Sequence, residues 1–249
     1  FNRKVFEPKV LLLHEAGVAS GFDLIYGLPG DSLDGFKESL DFAMSMAPNH
    51  LDIFLLSVLP GTRLSETAAG FALEHQVDSP YSVTGSPTFG PEDLARAGRI
   101  AHACDVFYNH GKAVPWFDIV LSALRMPPSE VFERFADALE TASTEDIIGL
   151  QRDLISALFQ ERDADLMGSL AADIITYFGH SAELMNAPGP EQAPDSRVAA
   201  YNHDIEALVA HLEAGHTDLE ELVFAVPAGP CEGRIRREAG ELVLEVLRE

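Results

Sequence analysis

The sequence is poor in cysteine, tryptophan and basic residues, and it has no long apolar run. Its two cysteines, Cys104 and Cys231, lie far apart and belong to no CxxC or CxxxCxxC cluster. This does not suggest a disulfide scaffold, and alone they cannot supply a structural zinc or iron–sulfur site. Scarce cysteine and no signal-peptide pattern predict a cytoplasmic protein. No stretch reaches the ~18 apolar residues of a membrane-spanning helix. The longest, such as Ile53 to Leu59, has the length of a buried strand. Lysine and arginine number 17 against 40 acidic residues, a net charge of −23. Phosphate backbones and anionic membranes need a basic face, so neither nucleic acid nor membrane is an expected partner. The plain consequence of the charge is solubility.

What is present is apolar material. Over 249 residues the hydrophobic fraction is 47%, enough for one large domain or two modest ones with a real core. The chain opens on Phe1 without an initiator Met, in sequence that already reads as mid-domain, so more protein is expected upstream. Val5 to Ala16 reads as a helix with Gly17 as its C-cap. Phe22 to Tyr26 reads as a strand that ends at Gly27-Leu28-Pro29-Gly30. Asp31 or Ser32 caps the next helix, to about Ala47. Leu51 to Leu59 is a second apolar strand, and a helix over Arg63 to Phe71 follows. Alternation of this kind predicts α/β structure with a parallel sheet covered on both faces. Two strands cannot make such a sheet, so the rest must come from other sequence or another chain.

Glu74 to Gly90 reads as a long loop, and Pro91 to Tyr108 as a helix with proline in its first turn. Beyond Pro115 the pattern turns helical. Helices are expected over Val131 to Leu139, from Thr144 or Glu145 to about Phe178, and over His203 to Ala214. Ala187 to Asp195 reads as a linker. Leu222 to Val226 and Gly233 to Arg237 are expected to form a hairpin around Pro227 to Pro230, before a final helix over Ala239 to Leu247. The predicted domains are therefore 1–112, α/β, and 113–249, mostly helical with a small C-terminal hairpin.

Asp23 stands inside an apolar strand, where a carboxylate is costly unless it is paired or binds something. At the carboxyl end of a parallel strand it could accept hydrogen bonds from ribose hydroxyls. Its plain alternative is a backbone cap. In Leu55 to Thr62 the strand, which carries the small residue Ser57 near its end, runs into Pro60-Gly61-Thr62, leaving backbone open to a flat heterocycle, or simply making a turn. Arg3, beside Asn2, suits bidentate carboxylate recognition, although an arginine near a terminus is commonly just solvated.

Taken in order, these segments resemble the radical S-adenosylmethionine superfamily: NR at 2–3, HEAG at 14–17, DLIYGLPG at 23–30 and LPGT at 59–62. The resemblance covers roughly residues 1–110. It implies part of a (β/α) TIM-type barrel with S-adenosylmethionine across the carboxyl ends of its strands. Arg3 would hold the methionine carboxylate and Asp23 the ribose hydroxyls. The backbone at Ser57 would face the adenine, while Gly27, Pro29 and Gly30 shape the turn beside the site. The intact enzyme would cleave S-adenosylmethionine reductively to a 5′-deoxyadenosyl radical, using a [4Fe–4S] cluster held by CxxxCxxC. That motif is not in this sequence, so the chain alone is expected to be inactive. Tyr201 to Leu208 (YNHDIEAL) is similar to the tail of a cobalamin-binding subgroup, some of whose members are named after the anaerobic Mg-protoporphyrin IX monomethyl ester oxidative cyclase. Cobalamin is implied only through that similarity, since no DxHxxG stretch occurs here.

The nine histidines show no HExxH-type spacing. Trp116-Phe117 and Tyr177-Phe178 read as core or interface aromatics, and Cys231 as an exposed thiol in a turn. The small-molecule substrate is unreadable. The rival to an enzyme is a non-catalytic binding or scaffold module that retains a partial α/β core. A sugar-phosphate barrel would need more glycine or basic residues at 27–30. A half barrel exposes strand edges and a sheet face. The chain is therefore expected to pair with a second copy or another chain, or to fold its helices over the open edge.

Overall fold

The computed structural model describes residues 3–186 and 196–247. Asn2 and the expected linker 187–195 lie outside them. In chain order the elements are α1 (Arg3–Glu15), β1 (Gly21–Tyr26), α2 (Leu33–Met44), β2 (His50–Leu55), α3 (Arg63–Thr67), β3 (Glu74–His75), β4 (Val83–Gly85) and α4 (Pro91–Cys104). They continue with α5 (Phe117–Leu124), α6 (Pro128–Thr141), α7 (Ile147–Gln160), α8 (Asp165–Asn186), β5 (Ser196–His203), α9 (Ile205–Glu213), α10 (Leu219–Ala225), β6 (Ala228–Glu238) and β7 (Glu241–Leu247). Structure is thus mixed helix and strand. Among the described residues the sheets are small, of two, two and three strands, and none closes on itself. No described helix is long and apolar enough to cross a membrane.

Two compact units form. One comprises Phe1–Asn109 with Pro127–Thr141, the other His110–Met126 with Ala142–Glu249. Helix α6, which sequence patterning groups with the helical region, therefore belongs to the first unit.

In the first unit β1 and β2 pair in parallel, with Phe22 beside Leu51, Leu24 beside Ile53 and Tyr26 beside Leu55. These residues share one face because side chains alternate along a strand. Helix α2 packs on that face. Ser32 Oγ accepts from the Gly35 amide at 3.1 Å as its N-cap. Phe36, Leu40, Ala43 and Met44, at helical spacing, are buried. Tyr26 and Phe36 meet with ring centroids 5.2 Å apart. Helix α4 starts at Pro91 and buries Leu94, Ala97, Ile100, Ala101 and Cys104. It then loosens into a π turn over Asp105–His110. This turn carries two side chains to β2: the Tyr108 hydroxyl donates to the Pro48 carbonyl at 2.6 Å, and Asn109 bonds the backbone of Leu51. Asp41 on α2 caps the start of α6, accepting from the Ser129 amide at 2.7 Å and its hydroxyl at 3.0 Å.

A sheet covered on both faces does not form from these residues. The second face, bearing Asp23, Ile25, Asp52 and Phe54, is open, with Ile25 45% and Phe54 51% exposed. Within the expected loop 74–90, β3 and β4 pair, and Ser82 bridges Ser57.

In the second unit α7 and α8 pack together, and β5, β6 and β7 form an antiparallel sheet in that order. The C-terminal hairpin exists but uses other residues than the pattern suggests. Its turn is Ala239-Gly240, both at positive φ (51° and 92°), which matches the twist of a two-residue hairpin. Ala239 to Leu247, expected as a helix, is that turn and strand β7. Leu222 to Val226, expected as a strand, falls largely within α10, whose N-cap Asp218 accepts from the amides of Glu220 and Glu221.

Candidate functional site

Among the described residues strand β1 has β2 on one side only. Along its other edge, between α1 and α2, runs a groove of about 680 Å³. Its floor is apolar, from Phe6, Phe22, Leu24 and Phe36, and its polar groups include Arg3, Asp23 and Asp31. The helices are held there by aromatic contacts: Phe6 lies 5.8 Å from Phe22 and 6.4 Å from Phe42. The Arg3 guanidinium sits 4.3 Å above the Phe42 ring, which positions a cation at the mouth of the groove.

Of the residues singled out in the sequence, Arg3, Asp23, Pro29 and Gly30 line this groove together. Gly27 and Ser57 are not among its lining residues. Gly27, at φ +82°, is a packing position: a Cβ there would stand 3.3 Å from Leu94 and 3.4 Å from Leu55. Ser57 continues β2 and bridges Ser82. Gly30, at φ +81°, has open space around it, as a turn beside a ligand requires. Asp23 itself is exposed, next to Asp52 in register on the open face. Its carboxylate is therefore accessible, and the cost of a buried carboxylate does not apply to it.

That cost applies to Asp173, which the sequence reading passed over. It stands in the middle of α8 with 2% exposure. Its oxygens accept from the Asn202 amide at 3.0 Å, the Asn202 side chain at 3.1 Å and the His203 amide at 3.0 Å. His203 Nδ1 lies 2.8 Å from Oδ2 and carries the hydrogen when the carboxylate is ionised. Burial pushes the Asp173 carboxyl above its ordinary range, and the donors of Asn202 and His203 oppose this without cancelling it. The readable signal was a lone carboxylate in LAADIIT. Asp173 and Asn202 also border a polar cavity of about 410 Å³ with Arg152, Asp165 and Ser169. Because the carboxylate is saturated by its own chain, the arrangement fastens α8 to the end of β5.

Cys104 is fully buried in α4, where burial drives its thiol well above the ordinary thiol range. Cys231 is half-buried in β6, and its Sγ donates to the His203 carbonyl at 3.2 Å. Among the described residues no group of three or more His, Cys, Asp and Glu side chains is placed to hold a metal ion. These donors do not fit a [4Fe–4S] cluster, which needs several convergent thiolates.

Compared with known proteins, the chain matches no protein-family model and no curated protein.

Proposed function

We propose that the chain is the C-terminal part of a radical S-adenosylmethionine iron–sulfur enzyme and that its first unit contributes binding surface for S-adenosylmethionine. The observation carrying this reading is that Arg3 of the first motif and Asp23, Pro29 and Gly30 of the 23–30 motif line one groove at the edge of β1. Arg3 supplies a fork of donors for the methionine carboxylate, and Asp23 an accessible acceptor for the ribose hydroxyls. Two adjacent parallel strands with their helices on one face are what a portion of a (β/α) barrel consists of. S-adenosylmethionine is the group these residues suit. The cluster is not, and no electron-transfer step is assigned to this chain, which by itself does not cleave the sulfonium. The tail similarity to cobalamin-dependent members adds cobalamin as the intact protein's second cofactor.

Exposed apolar side chains around the small sheet favour one other reading, a binding or scaffold module without catalysis. Ile25, Leu28, Phe54 and Leu59 are all between 43% and 51% exposed. Equilibrium dialysis of the chain with S-adenosylmethionine separates the two. Saturable binding that falls about tenfold, ~1.4 kcal/mol, in Arg3→Ala and in Asp23→Asn supports the enzyme reading. Absence of binding by a folded chain favours the scaffold. For the intact gene product made anaerobically, iron and sulfide content with 5′-deoxyadenosine release on reduction tests the class itself.

A further inference from the structure

We propose that His211 and His216 form a binding site for a late first-row divalent ion, Cu²⁺ or Ni²⁺. His211 lies in the last turn of α9 and His216 just beyond the end of that helix. The chain reverses at Gly215, φ +83°, with the Gly215 amide donating to the Leu212 carbonyl and the His216 amide to the His211 carbonyl, each at 3.0 Å. This reversal brings the Nδ1 edges of the two imidazoles together although they are five apart in sequence. A regular helix would not align them, which is why a search for helical ligand spacing misses the pair.

The two Nδ1 atoms are 2.8 Å apart, with ring centroids at 5.1 Å and planes inclined by 34°. Without metal, one ring's Nδ1–H donates to the other's lone pair. A metal would take both nitrogens at about 2.0–2.1 Å once the rings have turned their Nδ1 lone pairs toward it. Imidazole nitrogens bind late first-row divalent ions, Cu²⁺ most tightly, and a tetragonal Cu²⁺ or Ni²⁺ accepts two cis imidazoles with water in its other positions, whereas structural zinc takes four protein ligands. Binding requires both Nδ1 lone pairs, so the shared hydrogen moves through water to Nε2 and each ring turns about its Cβ–Cγ bond. No net proton leaves when both rings are neutral. Among the described residues no third His, Cys, Asp or Glu joins the pair, so water fills the remaining positions. The carbonyl end of α9 and the net charge of −23 both favour a cation here.

The test uses the untagged chain, stripped of metal, titrated with CuCl₂ and followed by equilibrium dialysis and electron paramagnetic resonance. The expected result is one high-affinity equivalent whose spectrum shows nitrogen coupling. NiCl₂ competes for it, and affinity falls about tenfold or more in His211→Gln and in His216→Gln. His180→Gln leaves it unchanged. Circular dichroism establishes that each variant is folded. If the double variant His211→Gln/His216→Gln binds Cu²⁺ as the native chain does, or the native chain binds no tight equivalent, the site does not exist.

Discussion

The side-chain amide of Asn109 stands beside Leu51 as a neighbouring strand would. Its Oδ1 accepts from the Leu51 amide at 3.2 Å and its Nδ2 donates to the Leu51 carbonyl at 2.9 Å. Nδ2 also donates to Asp105 Oδ1 at 2.9 Å. The π turn makes this possible, because the wider turn after α4 presents Asn109 to the start of β2. Replacing Asn109 by Ala strands two buried backbone groups and should destabilise the first unit by about 2 kcal/mol. Asn109→Asp keeps the acceptor but sets a carboxylate against the Leu51 carbonyl and Asp105, so it should be worse at neutral pH and approach the Ala variant in acid. Urea denaturation of both at pH 7 and pH 4 measures this. Equal stabilities at pH 7 would remove the amide from the account.

The Asp173 network predicts a larger effect. Asp173→Ala leaves the Asn202 and His203 amides and the His203 ring without their acceptor. Loss of about 3 kcal/mol is expected from several buried donors left without an acceptor. Asp173→Asn retains one acceptor oxygen and should fall between. A denaturation midpoint in Asp173→Ala within error of the native one would show that water replaces the carboxylate freely.

His180 gives the pH dependence a definite sign. Burial lowers its pKa, and Glu183 recovers only part of the loss. Its Nδ1 has no hydrogen-bond partner among the described residues. The folded value thus lies below the unfolded value of ~6.5, and between the two the unfolded chain holds a proton that the native chain does not. Stability should be flat above that value and fall as pH drops through the window. In His180→Gln this part of the slope disappears. Parallel stability–pH curves for the two proteins would exclude His180 as the source.

The cysteines should differ sharply in reactivity. Cys104 is fully buried, with its thiol shifted well above the ordinary range, whereas Cys231 is partly accessible. A thiol-specific reagent should modify one cysteine in the native chain and two after denaturation, with Cys231→Ser removing the native reaction. Modification of Cys104 at the rate of Cys231 would mean that α4 opens readily.

The first unit was legible because its apolar runs are bounded by strong signals. Gly27 to Gly30 ends β1, Ser32 caps α2, and Pro91 opens α4. The second unit was harder. Short apolar runs such as Leu222 to Val226 and Leu242 to Leu247 fit either a strand or a buried helix, and local cues decide between them. The deciding cue for α10 was Asp218 followed by Glu220 and Glu221, a capped acidic first turn. For β7 it was Gly240 after Ala239. At the site, reasoning from buried carboxylates picked Asp23, which is exposed, and missed Asp173, which is buried. Burial depends on what covers a strand face, and that information is not local.

The two edges of the small parallel sheet are unequal. Asn109 occupies the start of the outer edge of β2, and residues 81–83 occupy its continuation at 56–58, while the outer edge of β1 has no strand beside it among the described residues. Growth of this sheet therefore has a direction. Two chains meeting through β1 would run antiparallel across a two-fold axis and use up both available edges, leaving nothing for a third chain to extend. Association through this sheet would therefore be self-terminating, since it would consume the one edge from which this sheet could extend.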